Sequence, residues 1–162
     1  MVYFCPKSRN RWDRSLKMHI KRDIDGFLAK RMFGGKTIVI YGPRQAGKTT
    51  AVESYLSANA SPSDIVTFNG DETQDQQLLA DASAEKLRML IGKKKILFID
   101  EAHKVPNIGL VLKRAWDKVK GVQVIASGSS SVELADKIEE LMTGWKFDYT
   151  LKPVKRVEVS YA

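Results

Sequence analysis

The chain has 162 residues, enough for one domain with a sizeable core and too few for two catalytic domains. Hydrophobic residues make up 43% and charged residues 28%, with no unbroken apolar run near the length of a membrane span; these values exclude a membrane-spanning helix and a disordered chain. The net charge of +8 is uneven: residues 1–36 hold ten basic against three acidic side chains, and nearly all of the excess sits there.

Residues 1–14 show no periodicity and read as a basic N-terminal arm ahead of a single domain over 15–162. The charge of residues 1–36 fits contact with nucleic acid and fits equally a solvated basic terminus. The opening MVYFCPKSRN lacks the apolar core of a secretory signal, so a cytoplasmic chain is expected. Cys5 has no second cysteine to pair with, and His19 and His103 do not complete a zinc set. From Asp13 to Phe33, apolar residues at Leu16, Ile20, Ile24, Phe27 and Leu28 recur near the helical period. The spacing predicts a helix that covers the first strand and ends at Gly34-Gly35.

Thr37–Tyr41 (TIVIY) is an apolar, β-branched run and predicts a strand. It leads into GPRQAGKT at Gly42–Thr49, which fits the phosphate-loop pattern G-x-x-x-x-G-K-[ST]. Such a loop wraps backbone N–H groups around phosphates and sets a helix N-terminus behind them. Gly42 and Gly47 permit backbone angles and close approach that a Cβ would block, Lys48 reaches the phosphates, and Thr49 offers its hydroxyl to Mg²⁺. Pro43, Arg44, Gln45, Ala46 and Thr50 complete the nucleotide-binding stretch. Arg44 either adds a bidentate cation near the phosphates or faces outward to a neighbouring acid. Thr50–Leu56 continues as helix.

Asn59–Ser63 is turn-forming, and Asp64–Asn69 predicts a second strand with Asp71 and Glu72 just past its end. Gln74–Ile91 predicts a helix broken near Ser83. Lys93–Lys95 is a solvated entrance to a third strand, Ile96–Ile99, which ends at Asp100. Asn107–Lys120 has helical spacing with Trp116 on the apolar side. Val122–Ala126 predicts a fourth strand, Ser127–Ser131 a polar turn, Ser131–Met142 a helix, and Phe147–Leu151 a fifth strand. Strands alternating with helices imply an α/β fold of three layers, a parallel sheet with helices on both faces and ligands beyond the carboxyl ends of the strands. The loops at Gly42–Thr49, Asp71-Glu72, Asp100-Glu101 and Ser127–Ser131 collect there.

ILFIDE at Ile96–Glu101 has the form of a Walker B segment. Following a phosphate loop, its acids divide the work: Asp100 holds Mg²⁺ opposite Thr49, and Glu101 polarises the water that attacks the γ-phosphate. Ser127 or Ser129 stands where a hydroxyl reaches that phosphate or water, or simply forms the turn.

GPRQAGKTT at Gly42–Thr50, IDEAHKVP at Ile99–Pro106, ASGSSS at Ala126–Ser131 and LMTG at Leu141–Gly144 resemble, in this order, the prokaryotic predicted ATPases of the AAA superfamily. The resemblance covers roughly residues 30–160. It implies the P-loop NTPase fold with a five-stranded sheet of order 5-1-4-3-2, ATP with Mg²⁺, hydrolysis assisted by Glu101, and the serines in a sensor position. ATP over GTP rests on the resemblance and on the lack of an N-K-x-D guanine-reading motif. Trp145 stands where the family usually has arginine, a cation that would face the nucleotide or a partner subunit. The family usually continues into a helical region beyond this core, so the expectation is an ATPase core with an open site and slow turnover, or one completed by a protein partner or a second copy. The alternative is a nucleotide-gated module that binds nucleic acid or protein, or a shortened remnant of a larger ATPase, in either case without efficient turnover. Asp100–His103 also spells DEAH, but helicases of that group have a different loop, G-x-T-G-x-G-K-T, and a second ATPase domain.

Overall fold

The computed structural model describes residues 23–129, Ile138 and residues 143–152. The arm expected over residues 1–14, the first half of the helix expected from Asp13, and all but Ile138 of the helix expected over Ser131–Met142 lie outside the described residues. In chain order the elements are α1 (Asp23–Arg31), β1 (Thr37–Tyr41), α2 (Lys48–Asn59), β2 (Ile65–Asn69), α3 (Thr73–Leu79), α4 (Ala84–Ile91), β3 (Ile96–Asp100), α5 (Ile108–Lys118), β4 (Gln123–Gly128) and β5 (Lys146–Thr150).

The strands form one sheet in the order β2-β3-β4-β1-β5, every pairing parallel. Read from the other edge, this is the 5-1-4-3-2 arrangement implied by the resemblance. Side chains alternate faces along each strand. Ile38, Ile40, Ile96, Phe98 and Ile125 pack with Ile24 and Leu28 of α1 and Val52 and Leu56 of α2. Val39, Leu97, Ile99, Val124 and Ala126 face the other way, against Leu79, Leu87 and Ile91 of α3 and α4 and Val111, Leu112 and Ala115 of α5. Both faces of the central strands are therefore buried, and their sequences are continuous apolar runs rather than alternating ones. Burying each of these large side chains contributes about 1.5–3 kcal/mol before chain entropy is counted.

One local feature agrees with its expectation, the break near Ser83, and two differ. The helix expected over Gln74–Ile91 is two helices, because Asp81 adopts a left-handed φ of 52° and Ser83 then caps α4, its hydroxyl accepting from Lys86 N at 3.2 Å. The fourth strand runs two residues further than expected, and Ser127 pairs with Ile40 inside β4. Trp116 is half-buried rather than in the core: its indole N–H donates to Gly35 O at 2.7 Å and its ring lies 4.4 Å from that of Trp145. Among the described residues no helix is long and apolar enough to cross a membrane.

Candidate nucleotide site

The loop between β1 and α2 is shaped by close approach and by left-handed turns. Gly42 is buried, and a Cβ there would meet Leu151 O at 2.7 Å, so the exit of β5 excludes any side chain. Leu151 is itself pinned by its N–H, which donates to Tyr41 O at 2.7 Å. Gln45 (φ 64°) and Gly47 (φ 78°) turn the chain back so that α2 starts at the sheet's carboxyl edge. Gly47 caps α2 without a side-chain hydrogen bond, and the first turn holds no acid. Its leading N–H groups and the positive end of the helix dipole thus belong to the loop.

Lys48 opens α2 and is only 4% exposed. Its Nζ donates to Gly42 O and to Pro43 O, both at 3.0 Å. No carboxylate among the described residues lies within ion-pair distance of it. A buried cation with only neutral carbonyls around it is an electrostatic fit for an anion. Pro43, Arg44, Gln45 and Thr50 are exposed, while Ala46 is buried.

Asp100, 7% exposed at the tip of β3, joins the loop to the sheet. Its Oδ2 accepts from Thr49 Oγ1 at 2.6 Å, and its Oδ1 accepts from the Ser127 hydroxyl, a residue with no exposure at all. The two hydroxyls orient a buried carboxylate that neither could satisfy alone. A hydroxyl and a carboxylate side by side are hard oxygen donors and suit a Mg²⁺ ion, which keeps several waters of its own. Ser129 follows β4 and is half-buried.

Glu101 has a left-handed backbone (φ 45°, ψ 42°), unusual for a residue with a side chain. The end of β2 holds it there. Gly70 N donates to Asp100 O at 2.8 Å, and a Cβ on Gly70 would meet Glu101 O at 2.2 Å. Only glycine permits this approach. The Glu101 carboxylate lies 3.3 Å from His103 Nδ1, close enough for charge attraction but without the alignment of a hydrogen bond. Lys104 pairs with Asp71, tying the loops after β3 and β2 together. Gly70→Ala is expected to displace the Asp100-Glu101 turn and lower the unfolding free energy by about 1–3 kcal/mol. Urea unfolding measures this, and an unchanged midpoint would mean that the strand ends yield freely.

Of the residues singled out in the sequence, Lys48, Thr49, Asp100 and Ser127 meet at one edge of the sheet, with Glu101 next to them in the chain. Gly70, His103 and Leu151 were not singled out as site residues. A glycine after a strand and a histidine after two acids carry no local sign of what they touch. Trp145 precedes β5 and its carbonyl accepts from Thr37 N at 3.1 Å, at the start of β1. Position 145 therefore lies at the sheet edge opposite the phosphate loop, and an arginine there would start from the far end of the strand.

Comparisons with known proteins give the family and agree with the fold. A family model described as an AAA domain matches residues 34–160. The uncharacterised proteins Rv2008c of Mycobacterium tuberculosis and Mb2031c of Mycobacterium bovis are each 30% identical over 125 residues, 76% of this chain and 26% of theirs. The chain spans about a quarter of the length of these relatives. Among solved structures, the Pif1 helicase from Candida albicans superposes with a TM-score of 0.55 at 15% identity, covering 86% of this chain and 41% of its own. A Walker-type ATPase of Pyrococcus abyssi, PABY2304, gives 0.54 at 12% identity, over 84% of this chain and 54% of its own. A chain of Drosophila ORC bound to DNA gives 0.52 at 10%, over 82% and 90%. At these identities the likeness is one of fold. The family match spans the phosphate loop, the acid-tipped β3 and the strand order that brings them together, and the chain belongs to the AAA domain family, with the P-loop fold that binds nucleotides.

Proposed function

We propose that this domain binds ATP with Mg²⁺ and hydrolyses it slowly. The observation that carries the reading is the Lys48 ammonium, buried at the mouth of α2 with two carbonyls as partners and, among the described residues, no carboxylate within ion-pair distance. A triphosphate supplies the negative charge this position is short of, and the first-turn N–H groups of α2 add donors to it. Thr49 and Asp100 are the residues that would hold Mg²⁺, with Ser127 keeping the Asp100 carboxylate turned toward Thr49. Bound there, the ion supplies charge neutralisation on the phosphate oxygens.

Glu101 is the proposed general base. Its carboxylate takes a proton from a water whose oxygen attacks the γ-phosphorus; the bond to the β–γ bridging oxygen breaks, and ADP and phosphate are released. Phosphate release from ATP by the purified chain tests the reading. Release is expected to depend on Mg²⁺ and to fall to the blank in excess chelator. Release that persists unchanged in chelator would overturn the metal assignment. Binding of a fluorescent ATP analogue with no release above the blank would favour the nucleotide-gated binding module.

A further inference from the structure

A second built surface lies at the opposite edge of the sheet, one strand length or roughly 17 Å from the phosphate loop. There a cleft of about 260 Å³ is lined by Phe33, Lys36, Trp116 and Lys120 among others, and none of its lining residues is acidic. Phe33 is 58% exposed and Trp145, stacked on Trp116, is 48% exposed. The rings are interleaved with cations. Lys120 Nζ lies 5.9 Å from the Trp116 ring centre, while the Arg31 guanidinium and Lys36 Nζ lie 4.5 Å and 5.2 Å from that of Phe147.

The surface is held in shape rather than left loose. Gln123, 3% exposed, accepts from Phe33 N at 2.6 Å and donates to Lys36 O at 3.0 Å. The Trp116 indole anchors the same loop at Gly35 O. Phe33 is thereby fixed at a φ of 56°, a left-handed conformation that residues with a side chain seldom adopt and that, here, displays its ring to solvent. Lys146, nearby in sequence, is already paired with Asp148. Arg31, Lys36 and Lys120 make no ion pair with any described carboxylate.

Exposed aromatic faces flanked by cations, around a cleft whose described lining holds no acid, match single-stranded nucleic acid, whose bases stack and whose phosphates need positive charge. A second copy of the chain would bring like charge against like. We propose that this face binds single-stranded nucleic acid, stacking bases on Phe33 and Trp145 and holding phosphates on Lys36 and Lys120. The reading is independent of ATP hydrolysis, which concerns the other edge of the sheet.

Fluorescence anisotropy with a labelled oligothymidylate of about twenty nucleotides, titrated with the full chain over a range of salt, tests it. Trp145→Ala and Phe33→Ala should each weaken binding about fivefold or more, and Trp145→Phe should restore most of the loss. Lys36→Ala with Lys120→Ala should flatten the dependence of log K on log salt by about 0.7 for each phosphate that is no longer neutralised. Retained binding of a fluorescent ATP analogue checks that each variant is folded. Wild-type affinity in the aromatic variants, no binding by the wild type at low salt, or an equal preference for duplex would overturn the proposal. So would loss of self-association, in place of oligonucleotide binding, when sedimentation is used to follow Trp145→Ala.

Discussion

Glu101→Gln is expected to lower the single-turnover rate of phosphate release by about 10²–10⁴-fold while the affinity for ATP stays within a few-fold of wild type. Glutamine keeps the size of the side chain and one acceptor oxygen but cannot take a proton. The substitution leaves Lys48, Thr49 and Asp100 untouched, and those residues account for the proposed binding. Single-turnover measurement matters because release of products limits many such cycles and would hide a change in the chemical step. Equal rates in the variant and the wild type would remove Glu101 from its role as base. A loss of binding in step with the loss of rate would instead make it a structural residue of the turn that Gly70 supports.

Lys48→Met is expected to move binding and stability in opposite directions. Affinity for ATP should fall by about 30-fold or more, the equivalent of roughly 2 kcal/mol or more for truncating one partner of a desolvated charge pair. The nucleotide-free chain should become more stable, because methionine matches the aliphatic stem of lysine and removes a buried charge that has no counter-ion among the described residues. For a domain of this size each 1 kcal/mol corresponds to about 2–4 °C in Tm, so thermal unfolding with and without ATP reads both effects at once. At the same ATP concentration the wild type should be stabilised more strongly than the variant. A variant that melts lower than the wild type without nucleotide would show that the two carbonyl contacts of Lys48 outweigh its desolvation. A variant stabilised by ATP as strongly as the wild type at every concentration would place the nucleotide somewhere other than Gly42–Thr49.

Local pattern was enough for the parts of the fold whose causes are local. TIVIY and ILFI are strands because both their faces are buried, which forces every position to be apolar, and the glycines and lysine of GPRQAGKT are set by the loop's own geometry. The break between α3 and α4 was legible through Ser83, a capping residue within an otherwise helical stretch. The boundary at Ser127 does not follow from local pattern, because a run of serine and glycine has turn composition while the paired neighbour β1 keeps Ser127 in the strand. Trp116 departs from its pattern for a similar reason: its helical spacing points inward, but Leu112 and Ala115 take the buried positions of α5 and the indole reaches Gly35 O instead.

The site itself divides along the same line. Lys48, Thr49, Asp100 and Glu101 could be named from the sequence because each belongs to a short motif with its own spacing. That Thr49 donates to Asp100 across 51 residues, and Ser127 across 27, follows only from parallel strands set side by side. Gly70 acquires its role only where the end of β2 meets the backbone of Glu101. The aromatic and basic face at the far edge draws Phe33, Lys36, Trp116, Lys120 and Trp145 from three separate stretches of chain. Motifs are written in residues adjacent along the chain, so they can be read directly. Contacts made by closing the sheet depend on which strands become neighbours, and that was decided by the packing of both its faces.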